Sequence, residues 1–375
     1  MIPLNSNLSQ LQRSGIRRYT NLAKTVPGCI MLTIGEPDFD TPQAVKDAAQ
    51  AALARNRTHY APNQGVDGLR RAVAEAETAR GMACTPEQVL ITAGATGALF
   101  TALLGILNPG EEVVIPTPAF PLYESIVTVA GGRPVALDIS RDGFRITEAA
   151  LAGVLSPRTK AIILNSPNNP TGAVLDRASL DTVKRAVLGR EIFVLCDNVY
   201  QGLSRGPVPD LSLDRELSDQ ILLCQSFSKP YAMTGWRVGY LIGPADVMAR
   251  LLLLHAAEVA AIPTFLQDAC VAALGTDPAP MAQVYERRRE MVCRRLKQMG
   301  LPFPEPEGAF YVFPDISRFG IPDEEFCTRL ITQGRVATVP GECFGCGGHI
   351  RISCACADEQ LETGMDRLAA FLETL

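Results

Sequence analysis

Charge of one sign never accumulates in this sequence. Of its 375 residues only 20% are charged, and the formal net charge is -5. No basic block is present, which argues against a nucleic-acid protein, because phosphate-backbone binding needs clustered Lys and Arg. The nearest thing to one, Arg287-Arg288-Arg289, lies between Glu286 and Glu290 in a helical pattern. It reads as a solvated helix face. A continuous apolar leader is also lacking from Met1 to Lys24, so no secretory signal is expected. The most apolar long stretch, Leu251 to Leu266, is broken by His255, Glu258 and Pro263. It is too interrupted for a membrane span. Tryptophan is almost missing, with Trp236 alone. Cysteine is not scarce, but its count of 11 is odd and Cys196, Cys224 and Cys270 sit in apolar runs. Buried, reduced thiols in a cytoplasmic protein are the expectation.

Apolar residues make up 47% of the chain, enough for a sizeable core. At about 100–200 residues per domain the length suggests two domains. Thr41 is placed to cap a helix opening at Pro42, with a helical stripe from Gln43 to Arg55. A second helix is expected over Val66 to Gly81. Short β-branched runs then recur at Val89–Thr92, Glu112–Ile115, Pro134–Leu137, Ala161–Leu164, Ile192–Cys196, Ile221–Cys224 and Val238–Ile242. Most are separated by helical segments. This rhythm predicts an α/β domain with a mostly parallel seven-stranded sheet covered by helices. The sixth and seventh runs are joined by too little chain for a comfortable crossover, so the last strand is expected to be antiparallel. From about Asp277 the pattern changes to a smaller α+β domain. The expected division is 1–45 as an arm joining the small domain, 46–276 as the large domain and 277–375 as the small one.

Polar groups fall just after the strands. In open α/β sheets ligands bind outside the carboxyl ends of strands. Thr92-Ala93-Gly94-Ala95-Thr96-Gly97 opens a helix with small residues, an anion cradle. Pro116 to Phe120, Asn165 to Gly172, Asp197-Asn198-Val199-Tyr200 and Ser226-Phe227-Ser228-Lys229 follow four other strands. The last loop continues to Arg237. A lysine amine near hydroxyls and a guanidinium suits a Schiff base with pyridoxal phosphate (PLP) beside a phosphate site.

The sequence resembles the class I, aspartate-aminotransferase family of fold-type I PLP enzymes. The resemblance runs from about Ser14 to Phe371. Gly35-Glu36-Pro37-Asp38-Phe39, Tyr60 to Gly65, Asn168-Asn169-Pro170-Thr171-Gly172, Asp197-x-x-Tyr200, the lysine stretch, Pro306 to Tyr311 and Ile350-Arg351-Ile352-Ser353 carry it. It implies that Lys229 binds PLP covalently and moves the substrate proton. Asp197 would keep the pyridine nitrogen protonated, and Tyr200 and Asn169 would bond its phenolic oxygen. Ala95, Thr96, Ser226 and Arg237 would form the phosphate cup, and Phe120 would stack on the ring. Arg351 would grip the substrate carboxylate beside Gly35. Tyr60 would reach the phosphate of a neighbouring subunit, which makes a homodimer the expected partner. A cis bond is expected at Asn169–Pro170.

The resemblance implies transamination between an amino acid and a 2-oxo acid, closest to the aspartate/aromatic branch or to enzymes of N-acetylated diamino acids. A β-eliminating C–S lyase shares the same cofactor residues, and a non-catalytic PLP-binding regulator is the reading outside enzymes. Asn198 departs from the glutamate common in relatives. Cys343-x-x-Cys346 with His349, Cys354 and Cys356 invites a zinc site, but a second C-x-x-C is missing, so no metal is expected. Ser226-x-x-Lys229 also fits the penicillin-binding pattern; the S-D-N and K-T-G partners that pattern needs do not occur.

Overall fold

The computed structural model describes residues 2, 4–11, 14–204 and 206–375. Twelve strands are formed among them. In chain order they are β1 (Ile30–Met31), β2 (Val89–Thr92), β3 (Glu112–Thr117), β4 (Arg133–Asp138), β5 (Thr159–Asn165), β6 (Phe193–Asp197), β7 (Ile221–Ser226), β8 (Gly239–Ile242), β9 (Tyr311–Val312), β10 (Val336–Ala337), β11 (Val339–Pro340) and β12 (Ile350–Ser353). Seven of them make one sheet in the order β2-β8-β7-β6-β5-β3-β4. Alternation along each strand divides the sheet's side chains between two cores. Val114, Ile162, Val194 and Leu223 enter one. Their neighbours Val113, Ile163, Leu195 and Leu222 enter the other. Both faces are buried, which is why these strands read as continuous apolar runs rather than alternating ones.

The pairs β4–β3, β3–β5, β5–β6 and β6–β7 are parallel. Strand β8 is antiparallel to both β2 and β7, as the short connection predicts. Its register sets Gly239 opposite Thr92 on one side and Ser226 on the other. Arg237, two residues earlier, therefore arrives at the edge where β2 and β7 end.

A second body is built on the helix Ala279–Gln298, the three-stranded sheet β11-β12-β9 and the helix Asp358–Leu372. The N-terminal chain joins it: β1 pairs in parallel with β10. Tyr19, Ala23 and Leu32 are buried in its core with Phe310, Phe326 and Leu361. All eleven cysteines are free, eight of them buried. No helix among the described residues is long and apolar enough to cross a membrane.

Two local expectations fail. Thr41 does not cap the helix Gln43–Ala54, whose N-cap is Pro42 without a side-chain bond. Its hydroxyl donates to Ala232 O at 2.7 Å and accepts from Trp236 Nε1 at 3.0 Å. A long-range partner outcompetes the local helix end. The triple arginine is not simply a solvated face either. Arg288 pairs with Asp38 at 2.9 Å, and Arg289 is buried with Nη1 on Ala309 O. Both hold the arm and the 309–311 segment against the long helix.

Candidate active site

Five strand ends converge at one edge of the large sheet. Lys229 lies three residues past the end of β7. Its loop turns sharply: Ser228 N–H donates to Ser226 Oγ at 3.1 Å, Met233 N–H returns to Ser228 O at 3.1 Å, and Ala232 sits at φ +49°. Lys229 Nζ donates to Gly35 O, in the arm. Burial lowers its pKa from 10.5 to about 8; Glu36 pulls it up, and the Arg237 and Arg351 guanidinium groups add to the lowering. A desolvated ammonium loses its proton more readily, so a nucleophilic amine becomes available near neutrality.

Asp197 ends β6 and is buried. Tyr123 OH donates to its Oδ2 at 2.5 Å. Burial raises its pKa from 3.8 to about 6, against the opposing pull of Tyr123, the Val199 N–H and Lys229. Asn198, the departure from the family pattern, points its amide at Asp210, 3.0 Å away, where Arg80 and Gln201 also bind. A glutamate there would face the Asp210 carboxylate. The amide relieves that repulsion and adds no charge beside Asp197.

Asn165 connects the Asp197 backbone to the rest of the site. Its Nδ2 donates to Asp197 O at 2.9 Å, and its Oδ1 accepts the Asn169 N–H at 2.9 Å. Asn169 Oδ1 in turn accepts from Arg351 Nη1 at 2.8 Å. Arg351, on β12, is 1% exposed. Its Nη2 donates to Thr33 O at 2.7 Å, and Nε is buried without a hydrogen-bond partner. Tyr311 and Phe344 cover the guanidinium at 4.4 and 5.0 Å. Its bonded partners are neutral oxygens. A buried cation so held, with a spare donor, calls for an anion.

Tyr200 and Tyr311 share a hydrogen bond at 3.1 Å. A Cβ on Gly35 would stand 2.6 Å from Tyr311 OH, which explains the glycine. At the other end of the site, a Cβ on Gly94 would stand 2.9 Å from Arg237 Nη2. Gly94 has φ +69°, and Ala95 and Thr96 follow in the first turn of the helix Gly94–Ile106. Ser226 Oγ is buried, 2.9 Å from Ser228 Oγ. Helix-start amides, two hydroxyls and a guanidinium make an anion cradle. The Phe120 ring packs edge-on against Tyr123 at 5.8 Å.

Lys229, Asp197, Tyr200, Asn169, Ser226, Arg237, Ala95 and Thr96 are thus placed along one sheet edge, with Gly35 from the arm bonded to Lys229 and Arg351 from β12 bonded to Asn169. Tyr60 is not among them: it is 92% exposed on the protomer. The expected cis bond at Asn169–Pro170 is absent; the cis bonds are Thr117–Pro118 and Ser166–Pro167. Residues 168–172 instead close a helical-type turn, Gly172 N–H to Asn168 O at 2.9 Å, which a trans Asn169–Pro170 bond serves. Cys346 Sγ lies 3.5 Å from His349 Nδ1. No group of three His, Cys, Asp or Glu suited to a metal occurs among the described residues.

Sequence reasoning missed Tyr123, the roles of Asn165, Ser228 and Tyr311, and the Thr33 carbonyl. Tyr123 stands three residues past Phe120, in the first turn of the helix Leu122–Val129, and its ring meets that of Phe120. Asn165 was visible as the first polar residue after an apolar strand.

The residues fit PLP: an amine of lowered pKa, a buried carboxylate and an anion cradle lie at one edge. The sequence matches the aminotransferase class I and II family over residues 27–368. It is 38% identical to the probable N-acetyl-LL-diaminopimelate aminotransferase of Bacillus subtilis, over 98% of this chain and 95% of that protein. It is equally identical, 38%, to aromatic-amino-acid aminotransferase 2 of Thermococcus litoralis, over 99% of this chain and 98% of that one. The fold matches the crystal structure of aspartate aminotransferase from Thermotoga maritima with a TM-score of 0.94 at 34% identity, covering 99% of this chain and 100% of that one. The Thermus thermophilus aspartate aminotransferase with maleate gives 0.93 at 33% identity, covering 99% and 100%. Sequence and fold shared end to end with these enzymes place the chain in the class I and II aminotransferases, whose chemistry depends on PLP.

Proposed function

We propose that this aminotransferase works in two half-reactions, taking the amine from an L-amino acid and passing it to a 2-oxo acid, with Lys229 as the proton carrier. The observation that carries the reading is the half-buried Lys229 amine, set against Gly35 O at the sheet edge, lowered to about pKa 8 and within reach of both Asp197 and Arg351 charges. PLP, when bound, supplies the electron sink for the substrate's Cα carbanion. Asp197 would hold a proton on the ring nitrogen, and Tyr123 keeps the carboxylate aimed. Asn169 and Tyr200 would hold the phenolic oxygen. Ser226, Arg237 and the amides of Ala95 and Thr96 would hold the phosphate, and Phe120 would cover the ring. Arg351 would hold the substrate α-carboxylate next to Gly35, which would set the substrate Cα–H beside the Lys229 amine, the group that would carry its proton.

The exposure of Tyr60 supports a homodimer in which this ring completes the partner's phosphate site. The pairing of β1 with β10 supports an arm of 1–45 attached to a small domain of 277–375, with 46–276 as the large domain. Free, mostly buried thiols support a cytoplasmic setting. The relatives' names favour dicarboxylic, aromatic or N-acetylated diamino acids as donors.

A spectral half-reaction screen tests the function. The PLP enzyme is mixed with each common amino acid without an oxo acid. Aminotransfer gives one equivalent of oxo acid per site and then stops. Continued release of pyruvate and ammonia from a cysteine-type substrate would instead make it a C–S lyase.

Arg351→Lys gives a narrower test. Lysine keeps the charge but loses the planar fork and its second bond. KM for the amino donor is expected to rise about 30- to 100-fold, as for loss of a charged hydrogen bond. Steady-state rates at fixed oxo acid measure it.

A further inference from the structure

The arm and the lysine loop are stitched together at three points. Lys229 Nζ meets Gly35 O, the Thr234 hydroxyl donates to Glu36 Oε1, and Thr41 bridges Ala232 and Trp236. The third contact differs from the others because it involves neither the reacting amine nor a surface carboxylate. Thr41 Oγ1 uses its one hydrogen on Ala232 O at 2.7 Å and a lone pair on the Trp236 indole N–H at 3.0 Å. A hydroxyl can do both at once; a methyl can do neither.

One of the residues it ties, Ala232, and the residue after the other, Arg237, have backbones that are hard to hold. Ala232 has φ +49° and Arg237 φ +54°, left-handed conformations that side chains disfavour. Within the loop the backbone closes across Lys229 through Met233 N–H to Ser228 O at 3.1 Å, with a longer contact of 3.5 Å from Ala232 N–H to Lys229 O. Trp236 lies directly before Arg237, and Ala232 three residues after Lys229.

We propose that Thr41 is a positioning residue: its hydroxyl pins the turn from Lys229 to Arg237, setting the reacting amine and the phosphate-binding guanidinium in register. This deepens the reading of Lys229 and Arg237 given above and rests on it. Both functions of the Thr41 hydroxyl, donor and acceptor, are taken by the loop. It acts through Ala232 and Trp236.

The test compares wild type, Thr41→Val and Thr41→Ser as PLP-loaded enzymes. Trp236 is the only tryptophan, so one indole N–H cross-peak reports the bond directly. In Thr41→Val the cross-peak moves and kcat falls about tenfold, the effect of a misplaced reacting group, while KM for the amino donor stays within about twofold. Thr41→Ser keeps both bonds and restores the cross-peak and kcat to within about twofold of wild type. Wild-type kcat in Thr41→Val with a displaced cross-peak overturns the proposal, because the bond is then lost without consequence. A tenfold loss in Thr41→Ser overturns it too, and this arm remains decisive if the valine variant does not fold. Should wild-type turnover survive Lys229→Ala, the underlying reading of Lys229 fails instead.

Discussion

Lys229→Ala is expected to lower turnover by about 10⁴-fold or more, because it removes both the covalent anchor and the general base. The chain has only six lysines: 24, 46, 160, 184, 229 and 297. None of the other five can substitute from its place. Lys184 is held by Asp214 and Glu216, which raise its pKa. Lys297 pairs with Glu305 at 3.6 Å, and Lys160 lies over Phe193. Lys229 combines a half-buried amine, a lowered pKa and a position at the sheet edge. The variant should not lose stability in the cofactor-free form. The folded pKa of about 8 lies below the ordinary 10.5. Between these values the unfolded chain binds more protons than the folded one, so stability rises with pH from about 8 to 10.5. Lys229→Ala should flatten that rise in melting temperature. A large loss of stability near pH 7 would mean the side chain holds the fold rather than the chemistry.

Asp197→Ala is expected to lower kcat by about 10²–10³-fold, the usual scale for removing one preorganised electrostatic partner. Asp197→Asn should be nearly as damaging. The amide keeps the shape and can still accept from Tyr123, but it carries no charge to hold a proton on a ring nitrogen. Stability should separate the two variants. Alanine leaves the buried Tyr123 hydroxyl without an acceptor, at a cost of about 1–3 kcal/mol. Asparagine spares most of that. Stopped-flow half-reactions and thermal melts measure the two effects. An Asp197→Asn enzyme with wild-type kcat would remove the carboxylate from the mechanism.

Much of this was legible in the sequence, for physical reasons that differ by element. The buried strands were readable because both faces of the sheet are covered there, which writes unbroken apolar runs such as Val89–Thr92 and Ile221–Cys224. The reversal at β8 followed from chain length alone. The site was readable because its polar residues follow strand ends in a fixed order. What failed were inferences from local rules. Thr41-Pro42 satisfies every local condition for a helix cap, yet its hydroxyl is taken by residues 191 and 195 positions away. Arg288 and Arg289 look like a charge run, yet Asp38 and the Ala309 carbonyl draw them inward. Tyr123 carries no sequence signal of its own partner, the buried carboxylate 74 residues on. Tertiary hydrogen bonds of this kind leave no periodic trace.

The attachment point of PLP bears most directly on the chemistry. Borohydride reduction of the PLP enzyme, followed by peptide mapping, should place the pyridoxyl mass on the peptide bearing Lys229 and on none of the other five lysines. The label on a different lysine, or no label on an enzyme that still transaminates, would contradict the assignment of Lys229.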